Sequence, residues 1–582
     1  MRRSGLESFV AGAAFAAVAT VTVYATAAAF GLSPRPALYV LGAGVVAAAV
    51  AGVTSRSRPE ALPFRVGAIA AGTAALLLEV ASGGRLGALA VTAAAASIAV
   101  AVVGPALGRL VDTPVPKWLA VVGLAAVALV LARVVIGGGE LGHDEAAYAL
   151  KARAWLRGTP DTGWDLHRGI GQSVIALAVL AVRESASALR LVSVVLSIGT
   201  VVAVWALGRT MRSDRVGLAA AGMFAVAPSF LRRGAEFLTD LPSTGLLLVV
   251  ALLLWRWATS ESASDRQLYL AVVLAAAAFY IRYQAVLSLA LLVVAWLFVG
   301  RERVRQRSKS AVLAAALGVA LLLPHLIWAS VVTGRPWGVI AFTSAAGRRA
   351  YLGEGLVDYV RDLPDLLAGQ VGGVALVVAV GWLVWRSARA GDRRPALFLA
   401  IPALGQFLIL GTISHGEPRF VFFPVALMLV AAATAADELR ARIPEWAYRA
   451  GTFTFVVALV ASLGLHGARM DEFAEARGEM VAALEEAAAV IEAEATRPCG
   501  VITGLRPQVT WLTGCHTALF GLSEVEIPLG PEFDRFLLFT EGGLREPDAD
   551  LKAEYESLAA GDPIRIDGEG SIGDVVIWPL DG

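Results

Sequence analysis

The sequence predicts an all-α polytopic membrane protein with a small α/β domain at its C-terminus. Of the 582 residues, 57% are hydrophobic and only 17% are charged, whereas a soluble domain is nearer one quarter charged. About fifteen apolar segments are long enough to cross a bilayer, for which a helix needs roughly 20 residues. They fall near 9–30, 37–54, 65–81, 86–106, 118–137, 187–208, 216–234, 241–257, 267–282, 284–300, 311–332, 368–386, 394–412, 419–436 and 449–466. Only the last part of the chain has the short apolar runs, separated by turn residues, that are typical of a sheet.

The chain divides into three predicted regions. Residues 1–117 hold about four apolar helices, residues 118–467 form the main transmembrane module with a polar loop at 138–186, and residues 468–582 form the soluble domain. The start, Met1–Phe30, has the basic and apolar character of a signal peptide. Because further apolar segments follow at once, we interpret it as an uncleaved first helix.

The positions of arginine-rich loops predict the orientation. Short cytoplasmic loops are enriched in Lys and Arg, and the richest clusters share one side only if residues 169–183 form an interfacial or re-entrant helix instead of a span. The N-terminus is then cytoplasmic, while loop 138–186, Asp240, loop 333–367 and residues 414–420 face outward. The sequence thus predicts a multi-pass plasma-membrane protein whose C-terminal domain is extracytoplasmic. The richest clusters lie at 209–215, 301–309, 386–394 and 440–449.

The C-terminal domain carries both cysteines. Residues 470–496 read as an acidic helix rich in Ala, Glu and Met, and apolar runs such as GVITG, DRFLLFT and DVVIWP follow it. In an oxidising compartment Cys499 and Cys515 could form a disulfide. The alternative is two free buried thiols.

The most polar stretch of the chain, within loop 138–186, contains HDEAAYALK. Ionisable groups close to a bilayer are costly and therefore indicate a functional site. Asp144 and Glu145 open a predicted helix, and Tyr148 and Lys151 continue the Asp144 face. The alternative is ordinary helix chemistry, with Asp144 as the N-cap and Glu145 in the first turn.

Two histidines and an arginine of this loop are candidate substrate ligands. His143 precedes the acidic pair, and His167 and Arg168 begin the segment HRGIGQ. A cation at the membrane surface can bind a lipid phosphate, and arginine can do so through two parallel hydrogen bonds. The alternative is an arginine that meets lipid headgroups in general.

Further candidates lie at the outer ends of apolar helices. Asp240, in LTDLPS, could belong to the site or only cap a helix. An arginine between apolar helices can anchor at the interface or face a polar cavity, but SHGEPRF is too dense in polar groups for an anchor alone. The candidates of this group are Arg282, Tyr283, His415, Glu417 and Arg419.

Several functional classes find no support in the sequence. There is no HExxH, paired CxxC, EF-hand, Walker A or GxGxxG motif, and the net charge of +1 comes without the basic runs of a nucleic-acid-binding protein. We therefore expect no nucleic-acid partner and no required cofactor. The His and acidic residues could in principle bind a divalent cation, but their spacing gives no specific metal signal.

The order of these elements resembles that of the GT-C membrane glycosyltransferases, and most closely the protein O-mannosyltransferase and aminoarabinose lipid A transferase group. The resemblance covers roughly residues 118–436 and rests on the DE-x-x-Y loop, the TD-x-P turn, the RY pair and the H-x-E-x-R-F element. The chain departs from the family in its extra N-terminal helices, in HRG where some relatives have a lysine near the lipid phosphate, and in Phe420 where a tyrosine is usual.

The resemblance implies a role for each matching residue. Asp144 matches the aspartate that acts as general base or orients the acceptor, and Asp240 matches a second aspartate that supports the site. Arg168 or His167 falls where relatives place a cation near the lipid phosphate of the donor. The companions and the other cavity-lining positions are Glu145, Tyr148, Arg282, His415 and Arg419.

The implied reaction transfers a sugar from a polyprenyl-phosphate-linked donor to an extracytoplasmic acceptor, which could be a protein, a lipid or a polysaccharide. Membrane lipids are the other expected partners. One base and direct displacement predict inversion at the anomeric carbon. A multi-span transporter is an alternative that usually shows internal repeats, which this sequence lacks. A non-catalytic cell-envelope assembly protein is another, and would tolerate neutralisation of Asp144 and Asp240.

Overall fold

The computed structural model describes residues 139–580 with short gaps, together with a few helical residues between 127 and 135. The predicted N-terminal helices in 1–117 and the candidate His167 lie outside the described residues. The chain divides into two units, Met1–Ile136 and Gly137–Gly582, and all elements below belong to the second. The gaps are 163–165, 167, 346–349, 390, 441, 497, 520–531, 542–545 and 569–572.

Helices dominate the described chain up to residue 494. A π-helical turn at Leu363–Leu367 and a 3₁₀ turn at Pro418–Val421 each precede a longer helix. In chain order the helices are α1 (His143–Arg157), α2 (Ile170–Leu180), α3 (Ala186–Met211), α4 (Asp214–Ala225), α5 (Pro228–Arg233), α6 (Asp240–Thr259), α7 (Asp265–Ile281), α8 (Ala285–Gln306), α9 (Ser308–Thr333), α10 (Gly338–Ala345), α11 (Glu354–Arg361), α12 (Gly369–Ala388), α13 (Arg394–Ile413), α14 (Phe422–Arg440) and α15 (Glu445–Glu494).

Among the described residues, seven helices are long and apolar enough to cross a membrane. Each lies where a span was predicted, so the chain is a multi-span membrane protein. The predicted total of about fifteen spans, each roughly 20 residues long, is not confirmed. The seven are α3, α6, α8, α9, α12, α13 and α14 with its 3₁₀ turn.

Three predicted spans differ from the structure. Segment 216–234 breaks into α4 and α5, because Pro228 at the start of α5 has no N–H to continue the preceding helix. Segment 267–282 forms α7, whose 17 residues lie at the lower limit for a membrane span. Segment 449–466 is an inner part of α15, a single helix of 50 residues that also contains the predicted acidic helix.

The predicted interfacial helix at 169–183 corresponds to α2. Its 11 residues reach about 16 Å, too short to cross a bilayer core. Glycines let α2 approach the end of α7: a Cβ on Gly169 would lie 2.5 Å from the Tyr280 carbonyl oxygen, and one on Gly171 would lie 2.8 Å from the Ile281 nitrogen. This close approach brings Arg168, just before α2, to the same side as Arg282, just after α7.

The C-terminal sheet predicted from the sequence is present. Its order is β2-β1-β3-β5-β4, with β1 parallel to β2 and β3, and β5 antiparallel to β3 and β4. One face packs on the end of α15 and the other on α17, and a disulfide joins Cys499 to Cys515. The elements are β1 (Cys499–Thr503), α16 (Arg506–Thr513), β2 (His516–Ala518), β3 (Asp534–Thr540), α17 (Ala549–Glu556), β4 (Ile564–Ile566) and β5 (Val575–Leu580).

Candidate active site

The acidic pair lies in the first turn of α1. The helix is capped at Gly142, whose N–H donates to Glu145 Oε2 at 2.8 Å. Asp144 is therefore not the N-cap, and that alternative reading of its role is wrong. Because Glu145 provides the cap, the Asp144 carboxylate is available for contacts outside the helix.

Two arginines clamp Asp144. Arg168 Nη2 donates to Oδ1 at 2.9 Å and Arg419 Nη1 donates to Oδ2 at 3.0 Å, while 32% of the Asp144 side chain remains exposed. Burial acts to raise the pKa of this carboxyl, but the charges of Arg168 and Arg419 outweigh it and hold the pKa well below its usual 3.8. Asp144 is thus an accessible carboxylate at neutral pH. We call this arrangement the arginine clamp.

Asp240 begins α6 beside a third arginine. The N-cap is Thr239, so the capping alternative for Asp240 is also wrong. Arg282 Nη1 lies 2.7 Å from Asp240 Oδ1 and donates to Thr239 Oγ1, and Arg282 also donates twice to Gln284 Oε1. Among the described residues, neither oxygen of this buried carboxylate accepts a well-aligned hydrogen bond. Asp240 therefore keeps acceptor capacity towards a ligand.

A small polar cavity, partly open to solvent, is lined by Asp240, Arg282 and Arg419. The Ser288 hydroxyl donates to Gln406 Oε1 at 2.7 Å, so the polar lining continues along α8 and α13. Two guanidinium groups on one cavity suit an anionic ligand. The other lining residues are Ser243, Thr244, Leu247, Gln284, Ala285, Ser288, Gln406, Phe420 and Phe423.

Further ion pairs extend from the clamp. Arg419 Nε lies 2.6 Å from Glu417 Oε1, and the same oxygen is 3.4 Å from Arg233 Nη2. Arg233 Nη1 then pairs with Glu236 Oε2 at 2.7 Å. Charges of alternating sign thus connect the clamp to the turn that precedes α6.

Glu145 closes this path into a ring. Arg477 binds Glu236 Oε1 at 2.9 Å and also contacts Glu145 Oε2. Arg190 Nε and the Phe237 N–H contact Glu145 Oε1 at 3.1 and 2.8 Å. Burial acts to raise the pKa of Glu145, but Arg190 and Arg477 lower it. The ion-pair ring consists of six ion pairs and is closed by the chain between the neighbouring residues Asp144 and Glu145. Its members are Asp144, Glu145, Arg477, Glu236, Arg233, Glu417 and Arg419.

Sequence reasoning did not select Arg190 or Arg477 as candidates. An arginine inside the apolar stretch ALRLVSVVLSIG is itself a signal, because a charge at membrane depth needs a buried partner. Arg477 gave no comparable signal, since it lies among the charged residues of an acidic helix. Arg233 and Glu236 belong to the charged turn before Asp240.

Two further predicted residues lie beside the clamp and the ring. The Arg168 guanidinium lies 5.4 Å from the centre of the Tyr148 ring, and burial raises the pKa of this tyrosine. His415 Nε2 is 3.7 Å from Glu417 Oε2. Tyr148 thus packs against a clamp arginine from the core, and His415 lies beside a member of the same set of ion pairs.

Three predicted residues make their principal contacts elsewhere. Tyr283 packs against Phe279 and His325, and burial raises its pKa to about 12. Lys151 Nζ pairs with Asp161 at 2.8 Å. The third residue, His143, contacts the C-terminal domain, because its Nδ1 lies 3.2 Å from Gln508 Oε1.

The charge of the site is carried by guanidinium groups. Over the part of the chain that the structure describes, no group of three or more His, Cys, Asp or Glu side chains could hold a metal ion. Arg168, Arg282 and Arg419 instead supply positive charge around one ionised carboxylate and one buried carboxylate. Such an arrangement can bind a phosphate and act on a hydroxyl group beside it.

Comparison with known proteins confirms the predicted resemblance. Residues 171–328 match the family model described as Dolichyl-phosphate-mannose-protein mannosyltransferase, which is less than half of the chain. No curated protein matches the sequence. The family match lies inside the region 118–436 that carried the predicted resemblance.

Solved structures share the fold. ArnT from Cupriavidus metallidurans bound to undecaprenyl phosphate is 15% identical, with a TM-score of 0.58 over 80% of this chain and 98% of that chain. Its apo form gives 15% identity and a TM-score of 0.56 over 79% and 97% of the two chains. The oligosaccharyltransferase AglB from Archaeoglobus fulgidus is more distant, at 13% identity and a TM-score of 0.48 over 69% and 64%. The fold is GT-C-like, and the matches are consistent with the predicted class of enzyme, a glycosyltransferase.

Proposed function

We propose that the chain transfers a sugar from a polyprenyl-phosphate-linked donor to an acceptor hydroxyl on the extracytoplasmic face, with Asp144 as the general base. The observation that carries the proposal is the arginine clamp on Asp144, beside a cavity lined by Arg282 and Arg419. The description of the matched family and the undecaprenyl phosphate bound to ArnT support this class of donor.

The donor phosphate would bind where the positive charge is concentrated. Arg282 and Arg419 both line the cavity, so a phosphate there would meet two guanidinium groups. During transfer the acceptor oxygen bonds to the anomeric carbon, the bond from that carbon to the phosphate oxygen breaks, and polyprenyl phosphate leaves. Negative charge grows on the departing phosphate, and preorganised arginines stabilise it.

Asp144 would take the acceptor proton. While both of its oxygens are paired with arginine, the carboxylate is a weak base, because its pKa is held far below neutral. A phosphate in the cavity competes with Asp144 for Arg419, which both would contact, and therefore raises the basicity of Asp144. Donor binding would thus activate the base as well as supply the leaving group.

A single displacement accounts for the stereochemistry and for the role of the second aspartate. One base acting on the acceptor predicts inversion at the anomeric carbon, whereas retention would require a carboxylate nucleophile. Asp240 is paired with Arg282, so we propose that it positions this arginine and a hydroxyl group of the sugar donor. The acceptor approaches from outside if the N-terminus is cytoplasmic, and the C-terminal domain lies on the same outer side.

The test uses the purified full chain in nanodiscs with a panel of polyprenyl-phosphate sugars and membrane extract as a source of acceptor. Mass spectrometry follows the consumption of each donor by the wild type, by Asp144→Asn and by Glu184→Gln. Asp144→Asn should lower kcat about 10²–10⁴-fold, the usual contribution of a general base. Glu184→Gln is the matched control, because Glu184 lies in the same loop and pairs with Arg157.

Two outcomes would contradict the proposal. If donor consumption survived Asp144→Asn, the general base would have to be another residue. If the wild type consumes no donor, the transporter and assembly-protein alternatives replace the transferase.

A further inference from the structure

We propose that Arg477 is a positioning residue of this transfer reaction: it ties Glu145 to Glu236 and so fixes the first turn of α1. That turn carries Asp144. The inference rests on the proposed function, because it assigns a role in the same reaction. It also gives the C-terminal region of the chain a part in the active site.

Arg477 acts through two carboxylates. Its Nη1 lies 2.9 Å from Glu236 Oε1, its Nη2 contacts Glu145 Oε2, and only 9% of its side chain is exposed. It is not among the residues that line the cavity. Arg477 is thus placed to hold other residues in position and not to touch the substrate.

Its place in the ion-pair ring explains how it reaches the clamp. Asp144 and Arg419 meet at 3.0 Å on one side of the ring, and Arg477 closes the ring on the opposite side. Without Arg477 the ring opens between Glu145 and Glu236. The turn that carries Asp144 would then be joined to the turn before α6 only through the Phe237 N–H bond to Glu145 Oε1, and to Arg419 through the clamp.

Close packing makes the start of α1 sensitive to the position of Arg477. A Cβ on Gly142 would lie 2.6 Å from Arg477 Nη2, and a Cβ on Gly139 would lie 3.0 Å from Val481 on the same helix. Gly139 also has a φ of +54°, a conformation that favours glycine. The turn before α1 therefore lies directly against α15.

The C-terminal domain contacts α1 from the same direction. Arg153 of α1 donates to the carbonyl oxygens of Thr510 and Trp511 in α16, at 2.8 and 3.0 Å. Trp511 Nε1 donates to Glu140 at 2.8 Å. Because α15 leads into this domain, Arg477 and α16 together hold both ends of α1.

The chemistry of the contact favours arginine over lysine. Two different nitrogens of one planar guanidinium reach two carboxylates, whereas lysine offers a single nitrogen. After removal of Arg477, Glu145 keeps Arg190 and two backbone N–H donors, and Glu236 keeps Arg233. The fold should therefore survive a neutral substitution, while the first turn of α1 loosens.

The experiment compares Arg477→Gln, Arg477→Lys and Arg469→Gln in full-length protein in nanodiscs. Arg469 lies on the same helix but is exposed, so Arg469→Gln is the matched control. Arg477→Gln should lower kcat about 10- to 100-fold, as expected for a displacement of about 1 Å at the base. The KM for the donor should stay unchanged, since the cavity arginines are untouched, and Arg477→Lys should recover part of the kcat.

Hydrogen exchange gives a second measurement that does not depend on activity. In Arg477→Gln, amides of residues 143–147 should exchange faster, while those of α3 keep the wild-type rate. Unchanged exchange, unchanged kcat, or a loss of kcat equal to the loss of folded protein would overturn the inference. If the wild type consumes no donor, the proposed function fails separately, and hydrogen exchange still decides whether Arg477 fixes α1.

Discussion

The arginine clamp determines the charge of Asp144 over a wide pH range. Burial acts to raise the pKa of this carboxyl, and Arg168 and Arg419 lower it further than burial raises it. When a carboxyl has a lower pKa in the folded chain than in the unfolded chain, its ionisation stabilises the fold. This stabilisation is complete above the unfolded pKa and is lost as pH falls through the folded pKa. Asp144 should therefore remain ionised at every pH near neutrality.

Removal of one clamp arginine should change the pH dependence of the reaction. In Arg168→Gln, burial is opposed mainly by Arg419, with a smaller contribution from His143, so the pKa of Asp144 rises by about 1–3 units. The acid limb of the kcat/KM profile for donor consumption should shift to higher pH by a similar amount, whereas the wild type should show no Asp144 limb above its usual 3.8. Arg183→Gln, at an exposed position near the end of α2, is the control. An identical profile for both variants would contradict the clamp.

We expect transfer to continue after removal of divalent cations. The positive charge around the proposed phosphate position comes from Arg282 and Arg419, and guanidinium groups can neutralise a phosphate without a metal. Donor consumption should therefore keep its rate after EDTA treatment, with full removal checked by elemental analysis. Loss of activity that Mg²⁺ or Mn²⁺ restores would refute this expectation.

At the scale of elements, glycine sets the distance between α2 and α7. Gly169 has a φ of −72°, which any residue can adopt, so its importance lies in contact and not in backbone freedom. A Cβ there would meet the Tyr280 and Ile281 carbonyl oxygens at 2.5 and 2.6 Å, and backbone atoms cannot move aside as a flexible side chain can. The same contact places Arg168 beside the site.

Gly169→Ala should destabilise the protein by about 1–3 kcal/mol, the usual cost of overpacking, and should also raise the KM for the donor. Gly199→Ala is the matched control, because a Cβ on Gly199 in α3 would have no neighbour within 4 Å. Thermal unfolding in nanodiscs and donor kinetics measure the two effects. If Gly169→Ala and Gly199→Ala had the same stability and the same KM for the donor, α2 would be able to move away from α7 without an effect on either quantity.

At the scale of the whole second unit, the C-terminal domain is joined to loop 138–186 through α16. The disulfide between Cys499 and Cys515 links β1 to the residue before β2 and so encloses α16. Arg153 and Trp511 connect this helix to α1 and to Glu140. Restraint of α16 by the disulfide therefore also restrains α1 through Arg153.

The double variant Cys499→Ser/Cys515→Ser should lower the stability of the C-terminal domain. The disulfide closes a loop with a sequence separation of 16, for which the loss of restraint corresponds to about 3 kcal/mol. Two measurements report the effect: thermal unfolding of the protein and hydrogen exchange of the amides in β1 and α16. A reducing agent added to the wild type should reproduce the effect. Unchanged exchange in α16 would show that packing alone holds this helix.

Local sequence properties predicted much of this protein. Apolar length is a property of a continuous segment, so the seven candidate spans were predicted close to their observed bounds. Asp144, Asp240, Arg282 and Arg419 were selected because charges next to apolar helices are costly. The short runs of the C-terminal sheet were recognisable for the same local reason, since alternation and turn residues lie within a few positions of each other.

Only the tertiary structure decided which charges neutralise each other. Glu145 and Arg477 are 332 residues apart in the chain. The identity of a charged residue does not determine which residue of opposite charge it will pair with. The structure also decided that Gly142 and Thr239, instead of the two aspartates, cap their helices, which leaves Asp144 to the clamp and Asp240 to Arg282. The physical reason is that burial near a membrane forces each charge to find a partner, and packing alone determines which one is within reach.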